Sequence, residues 1–89
     1  MKAIVTVIGR DRVGIIADVS RILAEQGVNV LDISQTVLQE YFTMIMLVDA
    51  SGCTVPFASL ASELASAGEG LGLQIRIQRE DIFNAMHRI

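Results

Sequence analysis

Apolar and polar positions along the chain follow two different periods, and the switches between them mark the elements. Residues 2–8 (KAIVTVI) are rich in β-branched side chains and run into Gly9, which predicts a strand. Arg10-Asp11-Arg12 makes a polar turn. From Val13 the period becomes helical, with Ile15, Ile16, Val19, Ile22 and Leu23 on one stripe. Asp11 is the predicted N-cap of this helix and Gly27 its stop. Residues 28–38 predict a second strand, irregular near Asn29 because Val28, Val30 and Leu31 break strict alternation. Gln39-Glu40 is short enough for a hairpin turn, although it lacks an Asn-Gly signature, and residues 41–48 predict a third strand.

The second half repeats the scheme. Ser51-Gly52-Cys53-Thr54 reads as a loop, with Thr54 as N-cap and Pro56 in the first turn of a second helix. That helix carries Phe57, Leu60, Ala61, Leu64 and Ala65 on one stripe, and its end is blurred by Gly68, Gly70 and Gly72. Leu73, Ile75 and Ile77 then alternate with Gln74, Arg76 and Gln78, the period of a half-buried fourth strand. Residues 80–89 place Ile82, Phe83, Met86 and Ile89 at helical spacing, which predicts a short docked helix.

The order is therefore β-α-β-β-α-β plus a tail. Two right-handed crossovers and one hairpin predict an α+β, ferredoxin-like sandwich: a four-stranded antiparallel sheet with two helices on one face. Residues 1–89 are expected to form a single domain, with 81–89 as a C-terminal docking tail. In the third strand Phe42, Met44, Met46 and Val48 form one side, while Tyr41, Thr43, Ile45 and Leu47 form another that is also mostly apolar. The helices can meet only one of these sides, so a second copy or the tail is expected to cover part of the other.

Composition sharpens that expectation. Of 89 residues, 52% are hydrophobic and only 19% charged, and the mean hydropathy is +0.51. A chain of this length buries only roughly 60–65% of its unfolded surface, so some of this apolar character is expected to serve a partner. The net charge of −3 gives no basic face for a polyanion, so no nucleic-acid partner is expected. No apolar run reaches a membrane span, and the lysine-led N-terminus reads as a strand rather than a signal peptide. The single Cys53 builds neither a disulfide framework nor a zinc site, which suits a reducing cytoplasm.

Catalytic chemistry is hard to assemble from this inventory. His87 is the only histidine and lies in the tail, Cys53 has no local base, and the carboxylates are dispersed. No enzyme activity, cofactor or metal site is expected. Gly9 and Gly14 lack the spacing of a dinucleotide fingerprint.

One segment stands apart: Gly9-Arg10-Asp11-Arg12-Val13-Gly14-Ile15-Ile16. A helix start offers free backbone N–H groups and the positive end of the dipole. Gly14 removes a side chain there and would let a carboxylate approach those donors. The alternative is structural, with Asp11 capping the helix and Gly14 clearing space for packing, and residue types alone leave both readings open. The Gly27-Val28-Asn29-Val30 junction is expected beside this turn in space. Asn29 there offers both a donor and an acceptor, or simply stabilises the turn.

On these residues the stretch 4–33 resembles the opening of an ACT domain, a family of small ferredoxin-like modules that commonly bind amino acids and regulate metabolic enzymes. Val13-Gly14-Ile15-Ile16, Leu31-Asp32-Ile33-Ser34-Gln35-Thr36 and the tail from Glu80 to Ile89 are similar, more narrowly, to short stand-alone ACT proteins of bacteria and archaea. Those are in turn similar to the ACT repeats of the glycine cleavage system transcriptional repressor. The resemblance implies a regulatory homodimer that binds a small amino acid at its interface and signals to a partner protein. It places the ligand against Asp11, Val13, Gly14 and Ile15 before the first helix, and against Asn29, Val30 and Leu31 on the second strand. The N–H of Gly14 and its neighbours would hold the ligand carboxylate, with Asn29 supplied by the same or the facing subunit. The alternative is a ligand-free assembly module using the outer side of the third strand and the tail around Phe83.

Overall fold

The computed structural model describes residues 1–81. Six elements follow in the order β1 (Lys2–Arg10), α1 (Ile15–Glu25), β2 (Asn29–Leu38), β3 (Tyr41–Asp49), α2 (Phe57–Leu71) and β4 (Leu73–Arg79). They form one antiparallel sheet of strand order β2-β3-β1-β4. This is the ferredoxin-like arrangement that the periodicity predicts. The helix expected over 80–89 falls outside the described residues, apart from its first two positions.

The core lies between the helices and one face of the sheet. Val5 and Val7 of β1, Met44 and Met46 of β3, and Ile75 of β4 pack against Val19 and Leu23 of α1 and Leu60 and Leu64 of α2. Outside β1, each of these positions belongs to the apolar set that its element's period selects. Burying a side chain of this size stabilises the fold by roughly 1.5–3 kcal/mol.

Both predicted helix caps are displaced. β1 keeps its pairing with β3 as far as Arg10↔Tyr41, two residues beyond Ile8, so the turn into α1 begins later. Asp11 is held there by its backbone N–H, which donates to the Glu40 carbonyl at 2.7 Å. The N-cap is instead Gly14, left-handed at φ 91°, with no side-chain cap bond. At α2 the N-cap is Pro56 and not Thr54. A proline pushes the residue before it out of helical conformation, so the helix cannot extend back across Val55. At its far end α2 runs through Gly68 and Gly70 and stops at Gly72, left-handed at φ 74°.

Strand β2 is irregular near Asn29, as the broken alternation predicts, and the irregular residue is Leu31. Val30 pairs with Val48 and Asp32 with Leu47, so Leu31 is the extra residue of a bulge. β2 is also an edge strand, and apart from half-buried Val30 every one of its residues is exposed. The outer face of the sheet carries Ile4, Ile8, Ile45 and Leu47, with Ile8 and Ile45 above 40% exposure.

Candidate functional site

The loop between β1 and α1 and the start of β2 are the two segments against which the family resemblance places a ligand. In the loop, Arg12 closes back on its own backbone. Its Nη1 donates to the Val13 carbonyl and its Nη2 to Asp18 Oδ2, each at 3.1 Å. Val13 is almost fully exposed, at 98%. Gly14 accepts the first helical bond, from Asp18 N–H at 2.9 Å, which leaves the N–H groups at the start of α1 without a helical partner.

The role of Gly14 follows from its conformation. A side chain added there would meet only Arg12 Nη1, at 3.9 Å, so the glycine clears no packing space. Its positive φ is what disfavours other residues. Ile15 turns its side chain into the core, so toward any ligand it can offer only its backbone. Asp11 and Val13 stand in solvent.

Asn29 is exposed at the first position of β2, paired with Asp49. Val30 packs against the core, and the bulge leaves Leu31 46% exposed. Close by, Asp49 accepts from the Ser51 backbone N–H at 2.9 Å and the Ser51 hydroxyl at 2.6 Å, and faces the N-terminal amine at 3.4 Å. The Ser51 hydroxyl first, and then its N–H, lower the Asp49 carboxyl from 3.8 to about 2.

The two segments are not neighbours, contrary to the expectation that the Gly27–Val30 junction lies beside the loop. Asn29 stands in the row Asn29–Asp49–Lys2, and the loop follows the row Leu38–Tyr41–Arg10 at the opposite end of the sheet. The eight residue steps from Lys2 to Arg10 amount to about 26 Å of strand. α1 itself is the spacer: its 11 residues carry the chain from one end of the sheet to the other.

A further hollow was not foreseen. At the Arg10 end, Ile8, Arg10, Tyr41, Glu69 and Leu73 line an open depression of about 400 Å³ that includes none of the expected ligand residues. Two glycines line it: Gly9, where an added side chain would overlap the Leu73 side chain, and Gly72, beside which an added side chain would meet nothing. Elsewhere Cys53 is half-buried against the core, and His87 lies outside the described residues. Among the described residues no three His, Cys, Asp or Glu side chains converge as a metal site, and no helix is long and apolar enough to cross a membrane.

A four-stranded antiparallel sheet with both helices on one face and an open β2 edge defines a small ferredoxin-like α+β module. The ACT-domain family model matches residues 2–78, and the chain belongs to that family. ACT domains are typically regulatory, amino-acid-binding modules. The chain is 61% identical over 89 residues to a UPF0237 protein of Clostridium acetobutylicum, covering 100% of both. It is 56% identical over 88 residues to a UPF0237 protein of Methanocaldococcus jannaschii, covering 99% of this chain and 98% of the relative. Among solved structures, it is similar to an ACT domain protein from Streptococcus pneumoniae, with TM-score 0.83, 50% identity and 97% of each chain covered. A putative glycine cleavage system transcriptional repressor shares the fold, with TM-score 0.71 and 24% identity over 86% of this chain and 44% of its own.

Proposed function

We propose that this protein is a non-catalytic cytoplasmic regulator that works as a homodimer, binds a small amino acid between its subunits and passes its state to a partner protein. The observation that carries the reading is the separation of the Gly14 loop from Asn29 along one sheet, beside an unpaired β2 edge. One chain cannot close both segments around a ligand the size of an amino acid. Two-fold antiparallel pairing of β2 with β2 of a second copy sets the Asn29 end of each chain toward the Leu38 end of the other. The Gly14 loop stands at that Leu38 end. The ligand carboxylate would then meet the free N–H groups and Arg12 of one subunit, while Asn29, Val30 and Leu31 of the other approach from across the interface.

Such a ligand acts by linkage. An amino acid that binds the dimer about 100-fold better than the monomer strengthens the dimer by that factor for each ligand bound, roughly 2.7 kcal/mol per ligand. The test is calorimetry of the full chain against the twenty amino acids, paired with sedimentation in the presence and absence of any that bind. The expected result is one ligand or a small group of related ligands, bound one per subunit, that tightens the dimer. Absence of binding at millimolar concentration sinks the reading.

The exposed Ile8 and Ile45 on the outer face favour a second reading, a ligand-free assembly module. In that case no amino acid binds, and substitutions on the outer face abolish capture of a purified partner while the Gly14 loop is indifferent.

A further inference from the structure

Two strands border the sheet, β2 on one side and β4 on the other. The bulge at Leu31 interrupts the β2 edge, whereas β4 pairs with β1 in unbroken register from Leu73 to Arg79. Which backbone groups of β4 face outward follows from β1. Ala50 N–H donates to the Met1 carbonyl at 2.8 Å, and Asp11 N–H to the Glu40 carbonyl at 2.7 Å. The odd-numbered residues of β1 therefore turn their backbone groups toward β3. Backbone direction alternates along a strand, so Ile4, Thr6 and Ile8 bond β4 through Gln78, Arg76 and Gln74. Leu73, Ile75 and Ile77 are left with N–H and C=O aimed away from the sheet. At Leu73 the helix lies against them, since a side chain on Gly68 would begin 2.8 Å from the Leu73 carbonyl oxygen. At Ile75 and Ile77, among the described residues, no hydrogen bond from a helix or loop takes these groups. We propose that this edge takes up an extended segment of a partner protein as a fifth strand, one that carries an acidic side chain opposite Arg76 and an apolar side chain on either side of it.

A hollow of about 250 Å³ marks the place. Ala65 and Glu69 of α2 form one wall, and the consecutive residues Leu73, Gln74, Ile75 and Arg76 form the other. Four successive residues line one hollow only along a strand's free edge, because alternate side chains leave by opposite faces. A residue paired with Ile75 would send its side chain to the same face as Ile75, into the space beside Ala65. Its neighbour, opposite Arg76, would stand on the outer face. Arg76 is exposed there, and among the described residues its guanidinium has no ion pair or hydrogen bond. A carboxylate opposite Arg76 stabilises such a pairing, and a cation opposes it. The same rule disfavours a second copy of this chain. An antiparallel pair of β4 strands that used Ile75 and Ile77 of both copies would set Arg76 directly opposite Arg76.

This gives the partner protein of the reading above a surface, so it rests on that partner contact but not on amino-acid binding. It leaves the β2 edge for the second copy.

Peptide selection on the full chain tests it. Random peptides of about twelve residues, long enough to span the edge, are displayed on phage, selected on the immobilised protein and then synthesised. The expected binders alternate apolar and polar residues, with Asp or Glu at one fixed polar position. They should slow amide hydrogen exchange at Ile75 and Ile77 at least about tenfold and leave β2 unchanged. Arg76→Glu should weaken them at least about tenfold, and a lysine in place of the peptide's acid should restore binding to that variant. Peptides that bind without protecting Ile75 and Ile77, or that ignore Arg76→Glu, would overturn the proposal, and so would a selection that yields none. A change in sedimentation of the Arg76→Glu chain by itself would assign the edge to a second copy and overturn it too. Amino-acid titrations of both proteins keep the two readings apart. Failure of the peptides alone removes this surface, whereas failure of every amino acid removes the ligand and leaves the edge.

Discussion

Gly27 and Gly52 meet backbone to backbone where the α1–β2 junction crosses the loop that leads from β3 toward α2. A side chain on Gly52 would begin 2.9 Å from the Gly27 carbonyl oxygen, and one on Gly27 would overlap the Gly52 carbonyl oxygen. Gly27 also holds φ at 76°. This contact ties the start of β2, and with it Asn29, to the far end of β3.

Gly27→Ala therefore carries two penalties, a left-handed backbone of roughly 1–2 kcal/mol and a clash between two backbones that cannot rotate away. The expected total is about 2–4 kcal/mol. Gly52→Ala carries only the second penalty and should cost about half as much. Denaturant unfolding of the two variants measures the difference, and equal midpoints would refute the contact as drawn.

Gly14 has no such neighbour. Gly14→Ala should lose only about 1–2 kcal/mol, for its conformation, and keep amino-acid binding. Gly14→Asp brings a carboxylate beside Arg12 and the free N–H groups, and binding should fall at least about tenfold at similar stability, ~1.4 kcal/mol by affinity. Calorimetry on both variants separates shape from charge, and unchanged binding in Gly14→Asp would remove the loop from the site.

The β2 edge offers a third test. Ile33 is 40% exposed on an edge strand, and a lysine there opposes pairing with a second β2. Ile33→Lys should give a monomer by sedimentation while changing monomer stability by only about 0.5 kcal/mol. Amino-acid affinity should drop with the dimer, since the proposed site draws on both chains. A variant that stays dimeric would move the interface elsewhere.

Acid stability should carry the signature of Asp49. Its folded pKa, about 2, lies below the ordinary 3.8, so the stabilising contribution is complete above 3.8 and is lost as pH falls toward about 2. Asp49→Asn removes that contribution. Wild type and variant should differ most above pH 3.8 and converge as pH approaches about 2, read as urea midpoints along a pH series. Parallel curves through that window would show that Ser51 does not hold the carboxylate in solution.

Much of this was legible in the residues. Met44, Met46, Leu60, Leu64 and Ile75 fall on apolar faces that period alone picks out, because burial on one face repeats every two or 3.6 residues, whereas residues 2–8 read as a strand from β-branched richness with no face assigned. Each cap missed its position for a reason beyond its own residue type. Asp11 lost the first helix because β1 paired two residues further with β3, and Thr54 lost the second because Pro56 governs Val55. The bulge at Leu31 is likewise a property of two strands, visible only once Val30 and Asp32 have partners.

The sequence alone thus determined the element order, the inward faces and the apolar outer side of β3, since these depend on neighbours along the chain. Only the tertiary structure decided that Gly14 and Asn29 stand at opposite ends of the sheet, and that β2 and β4 are its open edges. Periodicity shows which way a side chain points. Register and strand order, set by pairing between residues distant in sequence, decide what it points at, and the separation of Gly14 from Asn29 is made of that second kind of information.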